Sequence, residues 1–265
     1  MLQIDKTAII EGGALIADGV TVGPYAFIGK EVTIGGGTIV SHGAHIEGRT
    51  AIGENNRIFP YAVLGTAPQD LKYAGEPTHL EIGSGNTIRE FCQINVGTAH
   101  GGGVTRVGDD CLIMGHVHIA HDNQIGNGCI IANFVALAGH VEIGDYAVIG
   151  GESAVHQFVH IGRCAMIAGA SAVSQDIPPF LLADGNRVRI RSLNLIGLRR
   201  RFSHGEIDLL NRTFKRIFRA NRAPKAAAES LLSGDLDALS REFCEFIAAA
   251  KRGVPNAHYE KEEHQ

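Results

Sequence analysis

A branched aliphatic residue stands at every sixth position of this chain. Ile10, Ile16, Val22, Ile28, Ile34, Val40, Ile46, Ile52, Ile58 and Leu64 follow one another without a miss. The series pauses over TAPQDLKYAGEPTHLE, returns in phase at Ile82, Ile88 and Ile94, and pauses again over TAHGGGVT. It resumes one residue out of phase at Val107 and runs in the same steps to Val173. Glycine often follows the aliphatic residue, as at Gly23, Gly35, Gly126 and Gly162. A period of six fits neither an amphipathic helix nor plain strand alternation. It fits a solenoid of short parallel strands with a tight corner at each sixth residue.

In such a coil the aliphatic residue points inward, and the residue two before it turns in as well and has to be small. Ala14, Ala26, Ala44, Cys111, Cys129, Ala147, Ser153 and Ala165 fill that position. One coil is three strands, so Cys111 and Cys129 are expected to stack inside it as packing residues. About eight coils at roughly 4.8 Å each make a prism on the order of 40 Å long. The two pauses, near 66–81 and 98–105, become loops extruded from a regular wall, where function tends to sit.

Past Val173 the repeat ends at SQDIPPF, where two prolines are expected to stop the ladder. The segment RVRIRSLNLIGLRRR follows with six arginines. Ser203 and Glu206 offer a capping box ahead of Ile207, Leu210, Phe214, Ile217 and Phe218 at helical spacing. Leu236, Leu239, Phe243 and Ile247 suggest a second amphipathic helix, and the tail HYEKEEHQ reads as polar and loose. The expected division is a β-helix over 1–190 and a small α-helical C-terminal domain over 191–265.

The formal charge of −4 gives no basic footprint for nucleic acid. No signal pattern and no run of 18 apolar residues is present, so a cytoplasmic protein without stable membrane insertion is expected. Five cysteines without a CxxC pair argue against a disulfide framework and a zinc knuckle.

The stretch HVHIAHD sets His116, His118, His121 and Asp122 close together, and His140 and His156 fall about one and two coils further on. Three readings compete. Outward histidines on a β-helix can be merely solvated, the reading preferred for His116, His45 and His160. They can bind zinc, as in the β-helical carbonic anhydrases. Or His121 can serve as a general base with Asp122 holding its tautomer, which needs a bend at 121–122 because strand neighbours point to opposite faces. The Asp-Asn step permits that bend.

The hexapeptide pattern resembles the left-handed β-helix acyltransferases, and the left hand of the coil is taken from that resemblance. The strings HIAHD, LAGHVEIGD, AVHQFV, IAGASAV, QDIPPF and PQDLKYAGEPT, in that spacing, resemble more narrowly the UDP-N-acetylglucosamine acyltransferases of lipid A biosynthesis. The likeness runs over nearly the whole chain. It implies transfer of a 3-hydroxyacyl chain from acyl carrier protein to the 3-hydroxyl of UDP-N-acetylglucosamine, in a homotrimer with sites between subunits, and with no metal or nucleotide cofactor. By resemblance, His121 is the base, Asp122 orients it, and the Gly139 N–H is the oxyanion donor. His118, His140, His156 and Gln157 line the site, and Asp70 and Lys72 contact sugar nucleotide and acyl chain. Asn194, Arg200 and Arg201 lie near the nucleotide and the carrier, where basic residues suit a diphosphate and an acidic protein.

Gly169 matches the family's chain-length stop, and without a side chain it leaves room for a longer acyl group. Asn95, at a substrate-site position where many relatives carry histidine, is a departure that leaves acylation of a 3-amino analogue as an alternative. The rival classes are a zinc carbonic anhydrase and a catalytically silent β-helix used for assembly.

Overall fold

The computed structural model describes residues 2–219 and 222–257. The tail HYEKEEHQ lies outside the described residues.

The chain is a left-handed parallel β-helix followed by a helical segment. Most strands are only two residues long and fall into three sheets of eleven, nine and eight strands, the faces of a triangular prism. We name them faces A, B and C in the order the chain meets them, beginning at Gln3–Ile4, Ile9–Ile10 and Leu15–Ile16. Every described hexad residue pairs with its counterpart one coil away. On face B, Ile94 pairs Ile119, Ile119 pairs Leu137, and Leu137 pairs Val155. These side chains are essentially inaccessible and form one continuous core. Cys111 and Cys129 are buried in it, as are the other three cysteines, all of them free.

The one-residue slip in the repeat is absorbed without loss of register. The loop after Asn95 takes up the difference, and Ile82 still pairs Val107 on face C. Three four-residue strands, Arg49–Ile52, His79–Ile82 and Val104–Val107, lie side by side there and brace both extruded loops.

The glycine that follows each aliphatic residue has a different cause from the corner. A Cβ on Gly126 would stand 2.4 Å from Asp145 Oδ1 and 2.7 Å from its backbone N, so the next coil leaves no space for a side chain. The left-handed corner residue comes two positions later and is often not glycine. At the edge between faces B and C it is Asp122 (φ 60°), His140 (φ 60°) and Phe158 (φ 63°).

The ladder runs slightly past the expected stop. Face A gains the parallel strand Leu181–Asp184, which pairs Met166–Ile167, and an antiparallel return, Arg189–Leu193. Three of the six arginines therefore flank or sit in a hairpin, with Ile190 and Leu193 buried beneath. Helices α1 (Leu195–Leu198), α2 (His204–Phe218), α3 (Pro224–Leu232) and α4 (Ala238–Ala249) follow. The capping box forms at Ser203 and Glu206, and all five apolar positions predicted for α2 are buried. Helix α3 was not anticipated; its proline start and alanine run were the available signal. Arg163 on the prism grips Glu242 of α4 through two bonds of 2.6 and 2.7 Å, fixing the helices to the last coils.

Candidate active site

The bend that the histidine cluster requires is present. Asp122 takes the left-handed conformation, which swings its carboxylate to the same side as the His121 ring. His121 Nδ1 lies 2.7 Å from Asp122 Oδ2. The carboxylate is almost wholly buried and is held from above by Thr98, whose N–H donates to Oδ1 at 2.9 Å and whose hydroxyl donates to Oδ2 at 2.6 Å. From below, the Asp122 N–H donates to Thr105 Oγ1 at 2.8 Å. Nothing in the hexad pattern reveals Thr98, because it sits in the second pause, where the period is lost.

His140 packs edge-on against His121, with ring centroids 5.0 Å apart, and stacks flat on Phe158 at 4.4 Å. Its Nδ1 is 3.8 Å from Asp122 Oδ2. Burial pushes the His140 imidazole below its usual range against the pull of that carboxylate, so it is neutral at neutral pH. His118, outward on face B beside Gln93 and Ala136, is pushed down first by burial and then by the charge of His121.

In coil register His121 aligns with Gly139 rather than with His140. A Cβ on Gly139 would stand 2.6 Å from His121 Cε1 and 2.8 Å from Nε2. The imidazole therefore fills the space that a side chain at Gly139 would need, and glycine leaves it free. The Gly139 N–H has no acceptor among the described residues. Gln157 and His156 stand one coil further along the same edge and are exposed, with His156 Nδ1 3.1 Å from the Gln157 carbonyl.

The first loop reaches over this edge. Asp70 Oδ2 is 3.2 Å from His100 Nε2, and His100 in turn lies 6.4 Å from the His140 ring. The Lys72 N–H donates to Asp70 Oδ1 at 3.0 Å and, ahead of the charges of His121 and His100, holds that carboxyl low. The Lys72 side chain is exposed.

Other expected site residues stand elsewhere. Asn194 caps α1, accepting from the Gly197 N–H and donating to the Cys164 carbonyl at 3.0 Å, and Arg201 lies over the Tyr146 ring. Both belong to the edge between faces C and A, a whole face away from His121. Arg200 beside them is exposed. Gly169 is exposed at the third edge, between A and B. Asn95 differs most from expectation. It is fully buried, and its Nδ2 donates to Thr66 Oγ1 and the Ala67 carbonyl, each at 3.0 Å. It anchors the start of the first loop, and its Oδ1 has no hydrogen-bond partner among the described residues.

His121, Asp122 and His140 bring ligand atoms within 4.8 Å of one another. Tetrahedral zinc with bonds of about 2.0–2.1 Å keeps its ligand atoms roughly 3.3 Å apart. The 2.7 Å contact between His121 and Asp122 is shorter, the span of a charge-assisted hydrogen bond.

The family model described as UDP N-acetylglucosamine O-acyltransferase, domain 2, matches residues 176–255, and the bacterial transferase hexapeptide model matches 105–139. An acyl-(acyl-carrier-protein)–UDP-N-acetylglucosamine O-acyltransferase of Campylobacter concisus is 48% identical, covering 97% of this chain and 98% of that protein. The chain belongs to this O-acyltransferase family. A Sulfurovum member is 51% identical over 96% of the chain and 98% of its own length. The solved UDP-N-acetylglucosamine acyltransferase of Campylobacter jejuni superposes with a TM-score of 0.93 at 48% identity, covering 97% of this chain and all of that one. Membership sets aside both the zinc carbonic anhydrase and the silent scaffold, and the O-acyltransferase names of the relatives do not favour the 3-amino acceptor.

Proposed function

We propose that this protein transfers a 3-hydroxyacyl chain from acyl carrier protein to the 3-hydroxyl of UDP-N-acetylglucosamine, the first step of lipid A biosynthesis. The observation that carries the mechanism is the contact of His121 with Asp122 on one side and with the Gly139 backbone on the other. Nδ1–H donates to Asp122, so Nε2 is the free basic nitrogen. It takes the proton of the 3-hydroxyl as that oxygen attacks the thioester carbonyl. A C–O bond forms, and the carbonyl becomes an oxyanion that can accept a hydrogen bond from the Gly139 N–H. Collapse breaks the C–S bond, and the protonated His121 gives its proton to the departing thiolate, which leaves as the carrier's thiol. Asp122 keeps one tautomer in place and balances the imidazolium charge. His118 and His140, neutral through burial, serve as hydrogen-bonding groups around the acceptor. No helix among the described residues is long and apolar enough to cross a membrane, which accords with a cytoplasmic reaction on a soluble carrier.

We further read the working unit as a homotrimer. Arg200, Arg201 and Asn194 stand on a different prism edge from His121, so in one chain they cannot serve the same site; a neighbour's edge can supply them. Exposed Phe91, Phe134, Tyr61 and Phe158 along the edges suit burial by another copy. The test is complementation. His121→Ala and Arg201→Ala proteins are each expected to be poor enzymes, yet random mixed trimers regain about a quarter of wild-type activity, the share of sites that draw both intact residues. Mixtures no better than the single variants would contradict a shared site.

A further inference from the structure

The second loop touches both carboxylates that surround His121, and nothing in the reaction as set out uses it. Thr98 is fully buried and gives Asp122 two hydrogen bonds. Gly101, three residues on, lies directly over the same carboxylate, where a Cβ would sit 2.1 Å from Oδ2 and 2.2 Å from Cγ. Between them, the half-exposed His100 meets Asp70 of the first loop at 3.2 Å. The short 3-10 turn Ala99–Gly101 carries these residues, with Gly102 in a left-handed conformation closing it.

We propose that loop 98–101 is a positioning element for the transfer reaction. Thr98 fixes Asp122, and through it the His121 ring, whereas His100 fixes Asp70 and, through it, the acceptor. This rests on the function given above, with Asp70 at the sugar nucleotide. Two positioning residues in one loop then affect two different quantities. Loss of the Thr98 hydroxyl leaves a buried carboxylate short of a donor and the imidazole less well oriented, an effect on the chemical step. Loss of His100 frees Asp70 to turn away, an effect on acceptor binding.

The experiment compares Thr98→Val, Thr98→Ser, His100→Ala and His100→Gln in the full-length protein. It measures kcat, both KM values, and calorimetric Kd for UDP-N-acetylglucosamine. Thr98→Val is expected to lower kcat about tenfold with Kd within about twofold, and Thr98→Ser to restore most of it. His100→Ala is expected to weaken UDP-N-acetylglucosamine binding about fivefold with kcat nearly kept, and His100→Gln, which retains a donor, to recover it. Wild-type kcat in Thr98→Val, or unaltered binding in His100→Ala, overturns the proposal. So does an equal loss in the Val and Ser variants. Nitrogen NMR of the His121 ring reads the same element without turnover. The Nδ1–H tautomer should dominate in the wild type and lose share in Thr98→Val; an unchanged share overturns the Thr98 assignment even if the acyltransfer reading itself were to fail.

Discussion

Replacing His121 by alanine is expected to leave the prism folded and to lower turnover by about two orders of magnitude or more, the usual loss when a general base is removed. The fold should tolerate it. His121 sits at a corner, outside the hexad stack, and the core at this coil rests on Ile119 and Ile125 instead. Asp122 keeps its three backbone and hydroxyl bonds to Thr98 and Thr105. Circular dichroism and thermal unfolding close to wild type, with steady-state turnover collapsed, is the expected pair of results. Near wild-type turnover would remove His121 from the chemistry.

The second large effect is expected from Gly139→Ala, the addition of one methyl group. The backbone at Gly139 is outside the left-handed region, so alanine suffers no conformational penalty. What it meets is the His121 ring at 2.6 Å. The ring cannot slide aside cheaply: Asp122 holds Nδ1, and His140, itself stacked on Phe158, blocks the edge. The imidazole has to shift by a substantial fraction of an ångström. A displacement near 1 Å at a reacting group costs about 100-fold. We expect kcat to fall by roughly 10- to 100-fold with a much smaller change in melting temperature. A variant with unaltered kcat would show that the ring does not work from the position described.

The regular part of this protein was legible because one physical demand repeats. Each coil needs a branched aliphatic residue per face, so Ile94, Ile119 and Leu137 reveal their own stacking, whereas the buried position two before it is looser than expected and also takes Val117, Asn123 and Leu80. The same regularity explains the limits. His118, outward on face B, and His121, at the corner, differ in role, but the hexad rule treats both only as positions outside the stack. It was the left-handed turn at Asp122 that turned two adjacent side chains into a pair. Thr98 and His100 lie where the period breaks, so their contacts with Asp122 and Asp70 exist only through the fold. Asn95 likewise gives no sign in the hexad pattern of its part as a buried anchor for the first loop. Arg200 and Arg201 resembled partners of His121 in a linear reading, and a single chain keeps them an entire face away.

The most direct test of the account is transfer itself. Purified protein is incubated with a chelator and a panel of 3-hydroxyacyl carrier proteins, against UDP-N-acetylglucosamine and its 3-amino analogue, and products are identified by mass spectrometry. Formation of the 3-O-acyl sugar nucleotide, undiminished by the chelator and lost in His121→Ala, is the predicted result. Failure to acylate UDP-N-acetylglucosamine with any donor, or acylation of the amine alone, would contradict it.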